Sequence, residues 1–148
     1  MVKYYTMTKY GITGALFFVL SGPLLAQGLE PGEWEFNAVT TSPLVTGTQN
    51  NVFKRCIRKE DADNPERWMA RQSEAGPCQL KPLERSADSM KWEVSCPKTN
   101  SKGSGVARLT GPGTVESDLQ MTTEIQGYRI QTSTHTTGKR LGPCKSSP

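Results

Sequence analysis

The stretch from Cys78 to Cys96, "CQLKPLERSADSMKWEVSC", sets the class of fold. Its centre is Ala87, inside the turn-forming cluster Ser86-Ala87-Asp88-Ser89. Folded there, Cys78 faces Cys96, Leu80 faces Val94 and Pro82 faces Trp92. Lys81 faces Glu93 on the opposite side. A slip of one residue would undo the cysteine pair, the apolar stripe and the charge pair together, so this register is strongly specified. The stretch is expected to form an antiparallel hairpin bridged by Cys78 and Cys96.

The chain has four cysteines, which allow three pairings if all are bridged. With Cys78–Cys96 assigned, Cys56 pairs with Cys144 by elimination. Loop-closure entropy gives roughly 3 kcal/mol for the short loop and about 4–5 kcal/mol for the long one. Zinc is the rival use of cysteine. No Cys-x-x-Cys spacing occurs and His135 is the only histidine, so no metal site and no cofactor are expected.

The N-terminus supplies the compartment. Lys3 and Lys9 precede an apolar run from Ile12 to Leu20, and Gly22-Pro23 breaks it before Leu24-Leu25-Ala26. This pattern reads as a secretory signal peptide, residues 1–26, cleaved after Ala26. The run is short for the ~20 residues of a membrane span. Residues 27–148 are then one exported domain with no stable membrane insertion, expected to be a monomer in the periplasm. Without Lys3 and Lys9, 16 basic residues stand against 14 acidic ones. Both signs are scattered, whereas nucleic-acid binding needs a concentrated basic face. Large apolar residues are few, and small exported domains with thin cores commonly rely on disulfides.

Outward from the central hairpin, alternation recurs. "GEWEFNAVTT" places Trp34, Phe36 and Ala38 on one face, and "NVFKRCI" reads as a second strand delivering Cys56. "SPLVTGTQN" between them reads as a loop. A turn at Gly111-Pro112-Gly113 sets Leu109 beside Val115 and Arg108 beside Glu116. In "DLQMTTEIQGYRIQTSTHTT", a two-residue turn at Gln126-Gly127 pairs Ile125 with Tyr128, Thr123 with Ile130, Glu124 with Arg129 and Asp118 with His135. "PKTNSKGSG" reads as a flexible connection, and Lys139 and Arg140 as part of the last loop.

"RKEDADNPERWMARQSEAGPC" differs in texture, being charged and free of β-branched residues. Asn64 as cap and Pro65 at the first position predict a short helix, Pro65 to Gln72, with Trp68 and then Met69 packed on the sheet. Asp61, Asp63, Glu66 and Glu74 lack calcium-loop spacing and read as a solvated face. The sum is a mainly β domain: an antiparallel meander of about seven strands, one short helix and two disulfides. One-sided strands must bury that side, so the sheet curls into a small barrel or half-barrel, with a β-sandwich as the alternative.

No catalytic set assembles. His135, Asp118, Ser133 and Ser117 sketch a hydrolase site but also read as an exposed cross-strand pair. Glu33 and Glu35 fall on the solvent side. Gly103-Ser104-Gly105 lacks the lysine and helix of a phosphate loop.

"LEPGEWEF", "CIRKEDA", "KWEVSC", "ARLTG" and "GKRLGPC", taken in order with the four cysteines, resemble the bacterial exported family known as domain of unknown function 3617. The resemblance implies export to the periplasm and carries neither an activity nor catalytic residues. Typical members have Thr-Pro after the first cysteine. Arg58-Lys59 stands there in this chain, which moves the expected helix start to Asn64-Pro65. The leading expectation is a non-enzymatic module that binds a small apolar ligand, with Trp34, Phe36, Trp92, Met121 and Ile130 lining its interior. The alternative is a protein partner in the cell envelope, engaged by sheet edges or the charged region Arg58 to Arg71.

Overall fold

The computed structural model describes residues 28–145. The expected signal peptide, residues 1–26, lies outside the described residues. Seven strands run β1 (Gly32–Thr41), β2 (Thr48–Ile57), β3 (Gln79–Arg85), β4 (Ser89–Cys96), β5 (Ser101–Gly111), β6 (Thr114–Ile125) and β7 (Tyr128–Gly142). They form one antiparallel sheet in the order β2-β1-β7-β6-β5-β4-β3. Apart from the β1–β7 pairing, each neighbour follows its neighbour in sequence, which makes the sheet a meander closed back on its first strand.

The expected registers hold. Leu80 opposes Val94, Lys81 opposes Glu93 and Pro82 opposes Trp92. After Pro82 the pairing shifts, so Glu84 meets Lys91 and Arg85 meets Met90, with Leu83 bulged out. The Lys91 ammonium, by hydrogen bond first and charge second, holds the Glu84 carboxyl below its ordinary value. Arg108 opposes Glu116, Leu109 opposes Val115, Ile125 opposes Tyr128 and Asp118 opposes His135.

The loop expected over Ser42 to Asn50 ends early, because β2 already starts at Thr48. Two further segments expected to be loops are strands. Ser101 to Gly105 opens β5 directly after a single 3-10 turn at Pro97–Thr99. Lys139 and Arg140 lie inside β7, which runs on to Gly142 to pair along β1. In both places partners across the sheet outweigh local composition.

The helical region holds two helices rather than one: α1 (Lys59–Asp63) and α2 (Pro65–Ala75). α2 starts where Asn64-Pro65 predicts and runs three residues past Gln72. The Asn64 side chain makes no capping bond; its carbonyl instead accepts from the amides of Arg67 and Trp68. Met69 is buried and Trp68 is 42% exposed, the reverse of the expected emphasis. Successive helical residues point ~100° apart, so only one of the two can face the sheet.

α2 lies antiparallel along β3. Glu66 pairs with Arg85 near one end at 3.2 Å, and Ser73 meets Leu80 near the other. The Ser73 hydroxyl oxygen accepts the Leu80 amide at 2.8 Å, a backbone group that points off the sheet edge. Two residues on, the next outward-pointing position is Pro82, which has no amide to leave open. Helix, proline and bulge together blunt this edge.

All buried residues of the sheet, including Trp34, Val94, Cys96 and Ser101, occupy positions on one face. The sheet curls around that inner face. Residues 28–31 before β1, Ala62 and Asp63 of α1, and Arg85 at the end of β3 with Ser86 and Ala87 line one pocket of about 390 Å³. β1 and β3 are five places apart in the sheet, so a flat sheet would separate them by about 24 Å. The edges β2 and β3 do not pair, so the barrel does not close, and a single sheet excludes the sandwich. α1 and α2 carry the chain between those two edges.

Both disulfides have the expected partners, Cys56–Cys144 and Cys78–Cys96. The first ties the end of β2 to the chain beyond β7; the second joins the start of β3 to the end of β4.

Candidate functional site

The inner face is built by strand alternation, and the register gives its floor plan. One row across the sheet reads Phe53, Phe36, Gly138, Val115 and Leu109. Another reads Gln49, Thr40, Thr134, Leu119, Gly105, Trp92 and Pro82. A third reads Thr132, Met121, Gly103, Val94 and Leu80.

These rows divide the face by chemistry. Trp34, Phe36 and Phe53 form a continuous stack, with ring centroids 6.1 Å and 5.4 Å apart. Leu119, Met121, Trp92 and Val94 make a second apolar area across the sheet. Between them, on β7, lie the hydroxyls of Thr132, Thr134 and Thr136, and Thr134 shares a 2.9 Å hydrogen bond with Thr40. Beyond Met121, Ser101 and Thr123 share a hydrogen bond of 2.7 Å.

Three glycines shape this floor. A Cβ on Gly105 would run into the Trp92 ring, one on Gly103 into Met121, and one on Gly138 into Phe36 and Val115. Large side chains therefore lie across the glycines of neighbouring strands instead of standing up from the sheet. Flat side chains widen the space above the face.

All five expected lining residues take inner-face positions. Trp34 is enclosed by the protein itself, at 0% exposure, with its indole N–H donated to the Glu30 carbonyl at 2.9 Å. Phe36, Trp92, Met121 and Ile130 are only partly covered. Phe53, Leu109, Val115 and Leu119 share that state and were not among the expected lining residues. Strand parity was the signal for them: Leu109, Val115 and Leu119 each stand between charged or polar neighbours, and Phe53 stands between Val52 and Lys54.

His135 and Asp118 meet on the outer face at 2.7 Å, each about half exposed. Ser133, on that same face, gives its hydroxyl hydrogen to Gln120, and Ser117 belongs to the inner face. No serine hydroxyl is joined to the His135 ring among the described residues; the ring is instead hydrogen-bonded across strands to Asp118. Glu35 also faces outward and pairs with Lys54 at 3.6 Å. An open cleft of about 320 Å³ on that side is lined by Glu35, Asn37, Glu116, Thr137, Lys139 and neighbours. Among the described residues, no three His, Cys, Asp or Glu side chains converge as a metal site would need, and no helix is long and apolar enough to cross a membrane.

Fold and site together define a disulfide-stapled, curled single-sheet domain with a partly uncovered apolar inner face. The chain belongs to the family described as "Protein of unknown function (DUF3617)", which matches residues 29–144. Among solved structures it is similar to the S-type phycobiliprotein lyase CPES from Guillardia theta, at 8% identity and a TM-score of 0.44. That match covers 80% of this chain and 90% of the lyase. It is also similar to a protein of unknown function from the DUF3598 family of Nostoc punctiforme, at 10% identity and a TM-score of 0.31. That match covers 82% of this chain and 53% of the other, so this chain spans about half of that protein. Comparison with curated proteins gives no match.

Proposed function

We propose that this chain is an exported, periplasmic, non-enzymatic binding module that holds a small apolar ligand on its inner face. The observation that carries the reading is the unfinished cover of that face. Phe36, Phe53, Trp92, Leu119, Met121 and Ile130 are all inner-face residues, yet none is fully buried and, among the described residues, no second sheet lies over them. Apolar surface left in water costs roughly 25 cal/mol per Å², so an apolar occupant gains by covering it. Export after removal of residues 1–26 fits two disulfides, which persist in oxidising compartments.

Native mass spectrometry of gently purified protein tests this. The expected result is a bound apolar adduct, or uptake of lipid-like probes by protein stripped of it. Protein that is consistently free of ligand and unresponsive to such probes would sink the reading.

One observation favours a second reading, an envelope protein partner. β2 is a ten-residue edge strand, largely exposed, with no strand on its outer side. Such an edge is a ready template for strand addition. Crosslinking in cells from a residue on β2 is then expected to capture one reproducible partner, and scattered capture would count against it.

A further inference from the structure

Charge is distributed unequally between the two faces of the sheet. Every carboxylate within the seven strands, from Glu33 to Glu124, holds an outer-face register position. The inner face carries none, but it does carry three arginines: Arg55, Arg85 and Arg140. Two of these are engaged. Arg85 pairs with Glu66 at 3.2 Å. The Arg140 Nε–H is donated to the Pro31 carbonyl at 2.8 Å and lies 3.6 Å from Glu30.

Arg55 differs. It opposes Trp34 in the register and its guanidinium carbon lies 5.9 Å from the centre of the Phe53 ring. Among the described residues it has no carboxylate partner. A planar cation thus sits at the end of the Trp34–Phe36–Phe53 stack, on a sheet face whose own strands contribute no carboxylate. Stacked on the ring, its outward N–H groups are still free for a two-oxygen acceptor, the geometry that arginine matches bidentately.

We propose that the inner-face ligand is an amphiphile with a single acidic head, a long-chain carboxylate in its simplest form. The head pairs with Arg55. The chain runs from there over Phe53 and Phe36 toward Leu119 and Met121. A carboxylate head finds in Arg55 a cation with no carboxylate partner among the described residues, whereas a cationic head would meet like charge there. The inference rests on the inner-face reading above and adds the ligand's charge and orientation.

The test compares oleate with methyl oleate, which share a chain and differ in head charge. Binding is read by displacement of a neutral fluorescent probe from the oxidised protein, below the concentration at which oleate aggregates. Oleate is expected to bind about tenfold more tightly than its ester. Arg55→Gln is expected to abolish that preference while affinity for methyl oleate stays the same, and Arg55→Lys to retain part of it. Arg55 is exposed and makes no buried contact, so near-UV dichroism of the variants is expected to match wild type. Equal affinity of wild type for acid and ester overturns this proposal and leaves the inner-face reading standing. A preference that survives in Arg55→Gln places the head elsewhere and also overturns it. Binding of neither compound overturns both.

Discussion

Gly105 illustrates how single residues set the character of the inner face. It lies mid-strand, where glycine ordinarily weakens pairing, and its missing side chain is the space that Trp92 fills. Gly105→Ala is expected to cost about 1–3 kcal/mol, the usual range for forcing extra volume into a packed site. Urea unfolding measures it, and a shift in the emission of Trp92 is expected alongside. His135 is the counter-example. Its pairing with Asp118 is half exposed, so His135→Ala is expected to change stability by no more than about 0.5 kcal/mol. A larger loss in the same urea experiment would mean that the pair does more than decorate the outer face. At this scale the sequence was most legible where alternation was clean. Parity alone assigns Phe36, Trp92, Met121 and Ile130 to one face. It could not reveal that Trp34 is wholly enclosed, because that depends on Glu30 and the chain before β1 coming over it.

The elements show where local signals sufficed and where they did not. The β3–β4, β5–β6 and β6–β7 hairpins could be read from their own residues, because inverted pairing matched apolar to apolar and acid to base. Ser101 to Gly105 could not, since a run of Ser, Lys and Gly carries no strand signal of its own. It is held by β4 on one side and β6 on the other, with Trp92 and Met121 lying over its glycines. Helix α2 was legible in its start and not in its orientation. Trp68 is the larger apolar side chain, yet Met69 shares its face with Ser73, four residues on, and Ser73 is the residue that meets β3. That contact yields a prediction. Ser73→Ala leaves the Leu80 amide without its acceptor and is expected to cost about 1–3 kcal/mol. Faster hydrogen exchange at Leu80, with the β5 amides unchanged, would locate the loss at this edge. Unchanged exchange at Leu80 would show that the edge does not depend on the helix.

For the whole molecule, staples replace core mass. Among the described residues only one large side chain, Trp34, is fully buried, and much of the inner face is half covered. The Cys56–Cys144 bridge spans 88 residues of sequence, and Cys78–Cys96 spans 18. By the loop-entropy account these give about 4–5 and about 3 kcal/mol, against a total of ~5–15 kcal/mol for an ordinary domain. Reduction is therefore expected to abolish the near-UV dichroism of the tryptophans. A reduced protein that keeps that signal would show that the sheet stands without its staples. The same economy explains the open face. Among the described residues no second layer covers Phe53, Leu119 and Trp92, and strand patterns alone could not show whether the barrel closes. Whether β2 and β3 meet depends on the long path through α1 and α2, not on any residue within the strands.

The tryptophans supply the most direct test of a ligand on the inner face, since each reports from a different place. Trp34 is enclosed, Trp92 lies on the inner face over Gly105, and Trp68 projects from α2. Nitrogen-15 labelled, oxidised protein titrated with methyl oleate is expected to shift the Trp92 indole resonance progressively and saturably, with Trp68 unmoved. A Trp92 resonance that stays in place across the titration, or that moves only together with Trp68, would contradict the inner-face site.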